Sequence, residues 1–278
     1  AHSLARRSGG VAANFAVYCA RLGLRVALLA RVGRDGEGDF LLAEMQRRGV
    51  VTDFVVRDPE LPTGLTVFLS GPHDRAFVTY LGTIDSLRGS DATDALLAQA
   101  RWVHVGSYFM QSKLQPDLPD LLHRARAAGA VTSLDPGYDP ARTWDSGLPA
   151  ALAETSLFLP NEVEAQGITG EADVGAAGAR LLTMTEAVAL KLGGAGARYL
   201  SAEQTAERPP YRVKVVDTTC CGDAFDAGFI AAALQGRPPA ECLNWGNACG
   251  ALVAAGPGNA ADRVSQDTIQ RLMAEGSV

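Results

Sequence analysis

Short apolar runs recur along this chain, separated by segments with helical spacing, and this alternation is what most narrows the choice of fold. Residues 11–22, VAANFAVYCARL, carry apolar side chains at helical intervals and end at Gly23, a residue suited to stopping a helix. VALLARV at 26–32 reads as a strand, GRDGEG as a polar turn and FLLAEMQRRG as a second amphipathic helix. After an interruption the alternation resumes. WVHVGSY at 102–108 leads to a helix over 117–128 that stops at Gly129, and AVTSLD at 130–135 is the next strand. SLFLP at 156–160 runs into the helix start NEVEA, and a helix at 172–183 precedes AVALKL at 187–192. GGAG and a short strand at 197–201 follow, then YRVKVVD at 211–217, read as a strand. Helices over 222–235 and 239–254, a break at GPGNA and a last helix at 265–274 complete the chain. Strand and helix in turn predict an α/β fold with a mostly parallel sheet.

The interruption lies at residues 50–82. VVTDFVV, GLTVFLS and AFVTYLG are strand-like runs without helices between them, the last two joined by the turn GPHD. They predict a small β-sheet lid over 50–82, with the core formed by 1–49 and 83–278. The competing assignment is an antiparallel edge of the main sheet.

Composition excludes several function classes. The net charge is −6, which argues against a nucleic-acid-binding surface. No apolar run approaches the roughly 18 residues of a membrane helix, and AHSLARRSGG lacks the apolar stretch of a signal peptide. Cys19, Cys220, Cys221, Cys242 and Cys249 form no C-x-x-C pair, so a disulfide framework or zinc site is not expected and a cytoplasmic location is.

Function concentrates in VVDTTCCGDAFDAGFIAAAL, residues 215–234. A strand ends at Asp217 and a helix of small apolar residues follows, so Cys220 to Asp223 lie at a helix N-terminus. The first amides of a helix have no internal partners and form a ready anion site. Asp223 then has two readings. It caps the helix, or it accepts the proton of a hydroxyl held against a phosphoryl donor while the amides stabilise the transferring charge. The two cysteines likewise serve as small residues in an anion hole or, with thiol pKa values lowered by the helix, as a redox switch.

DTTCCGDAFDAGF resembles the C-terminal signature of the PfkB, or ribokinase-like, carbohydrate kinase family, usually DTTGAGDAFxAGF. Four further segments resemble that family in its order. SGGVAANFAVYCARLG is similar to its N-terminal GGxxAN signature, which implies that Gly9, Gly10 and Asn14 contact the sugar; read alone, these are a turn and a surface Asn. PNEVE is similar to N-x-x-E and implies that Asn161 and Glu164 organise Mg2+ and its waters; read alone, it is a capped helix start. LKLGGAG implies close approach of Gly193 and Gly196 to ATP, with Lys191 incidental to the strand. WGNACGALVAAGPGNA places Asn247 and the turn at 256–258 beside the nucleotide. DPGYDPARTW is similar to a further family segment, with no role assigned to Arg142. Asp217 and the Thr219 carbonyl match positions that bind K+ in some members. There is no Walker motif, and GPGNAA follows a helix, so it is not a dinucleotide fingerprint.

The resemblance implies a ribokinase-like, three-layer α/β fold and transfer of the ATP γ-phosphoryl group to a sugar-like alcohol. Asp223 is then the base, Cys220, Cys221 and Gly222 form the anion hole, and a homodimer pairs through the lid. The alternatives are a nucleoside kinase and a non-catalytic sugar- or nucleotide-binding relative. Family members usually carry a strand and a sugar-binding Asp well before the Gly-Gly, which here stands at residues 9 and 10. An N-terminal piece is therefore expected to be lacking from the sequence or from the protein.

Overall fold

Successive side chains along the central strands are buried in two different apolar clusters, as in a sheet covered on both faces. Leu157, Leu159, Ala187 and Ala189 join one apolar cluster, and Leu134, Phe158, Val188 and Leu190 join another. Side chains two apart share a face, so each strand feeds two cores. The computed structural model describes residues 6–70, 75–258 and 260–276. Its strands are β1 (Arg31–Gly33), β2 (Val56–Asp58), β3 (Leu65–Ser70), β4 (Arg75–Tyr80), β5 (Trp102–Val105), β6 (Val131–Leu134), β7 (Leu157–Phe158), β8 (Ala187–Lys191), β9 (Ala197–Ser201) and β10 (Thr205–Arg208). The helices are α1 (Val11–Arg21), α2 (Gly36–Arg47), α3 (Asp94–Leu97), α4 (Leu118–Ala127), α5 (Leu148–Ala153), α6 (Glu162–Thr169), α7 (Val174–Leu181), α8 (Cys221–Leu234), α9 (Pro239–Ala254) and α10 (Gln266–Glu275).

The main sheet runs β10-β9-β8-β7-β6-β5. Strands β5 to β8 are parallel, and β9 and β10 are antiparallel additions at one edge. α1, α8, α9 and α10 cover one face, with Tyr18, Phe225, Phe229 and Trp245 in that core. α4, α5 and α7 cover the other through Leu118, Leu122, Leu148, Leu152 and Leu181. This is the expected three-layer α/β arrangement.

Two expectations need correction. The 211–217 run is not a strand of the sheet. The amides of Val216 and Asp217 donate to the Ala254 carbonyl at the end of α9, and Val215 and Val216 remain exposed. The sheet edge is formed instead by β10, which pairs with β9 through a turn closed from Ser201 N to Gln204 O. The run at 50–56 does not join the small sheet. Val51 bridges Ala27, and β2 pairs in parallel with β1, so this segment belongs beside the first strand. Only β3 and β4 form the separate antiparallel hairpin, in the register Leu65↔Tyr80 to Ser70↔Arg75. The turn GPHD and the Phe68 side chain lie outside the described residues. β1 and β2 stand apart from the main sheet, with no ladder joining them to β5 among the described residues. All four residues of β5 are only half-buried, whereas Ala187–Leu190 of β8 are fully buried.

Candidate active site

The carboxyl ends of the parallel strands and the N-termini of α1, α6 and α8 converge, as ligand sites do in open α/β sheets. The turn into α8 fixes the geometry. Cys220 adopts φ 65°, ψ 8°, a left-handed conformation that costs an ordinary L-residue roughly 1–2 kcal/mol. A left-handed residue leading into a right-handed helix turns successive amides toward one point, an anion-binding nest. Among the amides expected to form the anion hole, that of Cys221 donates to Thr218 O at 3.3 Å, and that of Gly222 has no backbone partner among the described residues. Backbone conformation thus accounts for the glycine the family usually places at position 220. Cys220→Gly is expected to keep turnover and to leave stability within about 1 kcal/mol of the parent, the relief of strain being offset by glycine's chain entropy. Cys220→Val, β-branched at a positive φ, is expected to cost about 2 kcal/mol or more. Thermal unfolding of the two variants checks both.

The surroundings of the two thiols work against the redox-switch reading. Burial and neighbouring Asp223 push the Cys220 thiol up to about 12, and burial with Asp217 pushes Cys221 up to about 11. A thiolate is disfavoured there in spite of the helix N-terminus.

Asp223 sits in the first turn of α8, and Asn14 reaches it from α1. Asn14 Nδ2 donates to Asp223 Oδ2 at 3.2 Å and to Cys220 Sγ at 3.1 Å. α1 begins after Gly10, whose φ of 97° suits glycine, and the Gly10 carbonyl accepts from the Asn14 amide at 2.9 Å. Gly9 has open space around it. Burial, followed by the negative charge of Asp135, pushes the Asp223 carboxyl up to about 7, with Asn14 and Lys191 opposing. A carboxyl so placed changes protonation near neutrality, which suits a general base better than a cap.

Asn161 and Glu164 form a reciprocal cap on α6. Asn161 Oδ1 accepts from the Glu164 amide at 2.9 Å, and Glu164 Oε2 accepts from the Asn161 amide at 2.8 Å. Glu164 is buried, and burial with the charge of Asp135 lifts its carboxyl to about 7. Its Oε1 makes no hydrogen bond among the described residues. Among those residues no cluster of three or more His, Cys, Asp and Glu could cage a metal. A buried carboxylate with one oxygen outside the cap is compatible with an ion that keeps most of its waters, as Mg2+ does.

The residues expected to line the nucleotide have structural duties of their own. A Cβ on Gly196 would fall 2.1 Å from the Arg208 carbonyl, and Asn247 Nδ2 donates to the carbonyls of Arg208 and Pro209 at 3.1 and 3.0 Å. Both clasp the same stretch of chain. Gly193, at φ 51°, faces open space. Asp217 ties its own loop, accepting from the Thr219 amide at 2.9 Å, its hydroxyl at 2.7 Å and the Gly258 amide at 3.1 Å.

Sequence reasoning missed a buried ionic triad. Lys191, at the end of β8, points like Ala187 and Ala189 toward α8. Its Nζ donates to Asp135 Oδ2 at 2.5 Å and to Asp226 Oδ1 at 3.1 Å, and the three side chains are 11%, 9% and 1% exposed. Burial raises the Asp226 carboxyl well above its ordinary range, and it shares a side-chain hydrogen bond with Asp135. Burial works against charge on Lys191 and Asp135 too, yet their attraction wins, leaving Lys191 firmly protonated and Asp135 ionised. Two signals were available. Lys191 is the one charged residue in the run AVALKL, and Asp226 follows Asp223 by one helical turn inside an apolar helix.

The PfkB family of carbohydrate kinases matches residues 1–265. The chain is 32% identical over 228 residues to a protein of Archaeoglobus fulgidus described as an uncharacterized sugar kinase, covering 82% of this chain and 90% of that one. It is 30% identical to the 2-dehydro-3-deoxygluconokinase of Bacillus subtilis, with 90% and 81% covered, and 29% identical to the fructokinase of Vibrio alginolyticus, with 90% and 86% covered. Among solved structures, the fructokinase of Xylella fastidiosa with bound ATP superposes with a TM-score of 0.84 at 26% identity, over 96% of this chain and 90% of that one. A ribokinase-II-type protein of E. coli in complex with ATP and Mg2+ gives 0.88 at 24% identity, over 99% and 92%. Fold, motif order and sequence agree: this chain belongs to the PfkB family of carbohydrate kinases.

Proposed function

We propose that this protein transfers the γ-phosphoryl group of ATP to a hydroxyl of a sugar or sugar-like acceptor, with Asp223 as the base. One observation carries the assignment of the base. A carboxyl held at about 7 stands in the first turn of α8, beside an amide nest, and is hydrogen-bonded by Asn14 of the segment on the acceptor side. The acceptor oxygen attacks the γ-phosphorus, its proton passes to Asp223, and the bond from phosphorus to the β–γ bridging oxygen breaks to release ADP. The Gly222 amide and its neighbours hold the transferring charge. Asn14 fixes the orientation of the Asp223 carboxylate. Bound with the nucleotide, Mg2+ supplies charge neutralisation at the phosphates, with Asn161 and Glu164 holding its waters. Gly9 and Gly10 shape the acceptor side and Gly193, Gly196 and Asn247 the nucleotide side, and Asp217 with the Thr219 carbonyl would hold K+.

The hairpin of β3 and β4 serves in this reading as a lid that excludes water from the reacting groups. It presents Leu65 and Val67 (both 47% exposed) on the same face as their cross-strand partners Tyr80 (56%) and Val78 (60%). An apolar face of this kind suits pairing with the lid of a second copy in a homodimer. The protein is proposed to work in the cytoplasm, where its free cysteines stay reduced. Among the described residues no helix is long and apolar enough to cross a membrane.

The test is ADP release with MgATP across sugars, sugar acids and nucleosides. Release that depends on one acceptor class supports the reading and names the class. Silence across the panel with intact nucleotide binding would favour a non-catalytic relative. The pH dependence follows from the raised carboxyl. Asp223 is protonated, and so unable to accept a proton, below its pKa. kcat/KM is expected to fall about tenfold for each pH unit below about 7 and to level off above it. A flat profile between pH 5.5 and 8, a range of roughly two units about the expected pKa, would contradict the assignment.

A further inference from the structure

No motif assigns Lys191 a role, and its surroundings give it a task. An ammonium carries three N–H donors. One goes to Asp135 Oδ2 at 2.5 Å, and a second is shared between the Asp226 oxygens at 3.1 and 3.4 Å. The third has no partner among the described residues. Nζ stands close to the first turn of α8: a Cβ built on Gly222 would lie 3.7 Å from it. Gly222 is the residue whose amide the nest leaves without a backbone partner. The ammonium therefore stands beside the residue that carries this amide, and the two aspartates hold it in place.

We propose that Lys191 is a catalytic residue of this kinase, its third N–H donating to the phosphoryl group as it passes over the nest. This rests on the phosphotransfer reading above. Asp135 and Asp226 are positioning residues for it. The arrangement puts a fixed positive charge where negative charge gathers on the transferring oxygens, at a site already built and partly desolvated, which is where such a donor is worth most. It also gives glycine at 222 a reason beyond the nest, since a side chain there would stand between the ammonium and the phosphate.

The experiment compares wild type, Lys191→Met and Lys191→Met/Asp135→Asn. Each is titrated calorimetrically with MgADP alone and with MgADP plus aluminium fluoride, a stand-in for the transferring phosphoryl group. The double variant removes an opposite pair of buried charges, so it remains the test where the single variant, left with an unpaired buried aspartate, does not fold. Aluminium fluoride is expected to tighten MgADP binding by wild type. That gain is expected to fall about 100-fold in the variants, in line with loss of one transition-state donor, while affinity for MgADP alone stays within about twofold. Wild type supplies a third readout. The sequence has three lysines, Lys113, Lys191 and Lys214. In isotope-labelled protein the Lys191 ammonium resonance should move when aluminium fluoride joins MgADP. An undiminished gain in either folded variant, or an ammonium resonance that does not move, overturns the proposal and leaves the kinase reading standing. Wild type that binds no MgADP would remove the kinase reading and this proposal with it.

Discussion

Asp223→Asn is expected to lower turnover by about 10³-fold, within the range for loss of a positioned general base, while affinity for MgATP stays within about threefold. The substitution is isosteric. The amide oxygen of an asparagine can still accept from Asn14, which donates at 3.2 Å in the parent, so the turn into α8 should keep its shape. What is lost is the capacity to take a proton. Removing a negative charge beside the phosphate site cannot weaken nucleotide binding by repulsion, so a loss of affinity would show that the site itself had distorted. Steady-state ADP release and calorimetric titration with MgATP separate the two. Turnover within about fivefold of the parent would mean that the proton goes elsewhere, because the base contributes at least about 10²-fold in such reactions.

Gly228→Val is the substitution with the largest expected effect on stability. α8 and α9 approach each other through glycines. A Cβ on Gly228 would lie 2.6 Å from Cys249 Sγ and 2.7 Å from the Trp245 carbonyl, and one on Gly246 would lie 2.8 Å from the Phe225 ring. The Trp245 carbonyl is helix backbone and cannot swing aside, so valine must push the two helices apart. Overpacking of this kind costs about 3 kcal/mol, and more where backbone has to move. For a chain of this size each kcal/mol lowers the melting temperature by about 2–4 °C. Because α8 carries Asp223, the displacement should reach turnover as well. Gly36→Ala is the control, since open space surrounds Gly36 at the start of α2; its melting temperature should not fall. A Gly228→Val protein that melts with the parent would show that α8 and α9 can separate without loss.

Each strand of the parallel core is legible in the residues as an apolar run, and α8 as a string of small residues after Asp223. The N-caps Asn161 and Ser265 stand where their helices begin. What cannot be read this way depends on contacts between distant segments. YRVKVVD has a strand's composition, but the end of α9 offers its amides a nearer acceptor. The run at 50–56 is apolar enough for either sheet, and only its partner, the segment at 27–33, decides. Lys191 reads as incidental to its strand because Asp135 and Asp226, 56 and 35 residues away, become its neighbours only when β6, β8 and α8 have packed. The adjacent cysteines are legible as small residues; that the first of them must turn left-handed is not.

The hydrogen bond from Asn14 to Asp223 closes a separation of 209 residues. Contacts between distant segments pay their loop-closure entropy early and are among the last to be secured. Synthesis adds to this order, because α1 leaves the ribosome long before α8. A chain still being made has no oriented carboxylate and no nest until α8 has emerged and met α1. Recovery of catalytic turnover during refolding thus reports the docking of the two ends of the chain, an event later than the one that helical content records.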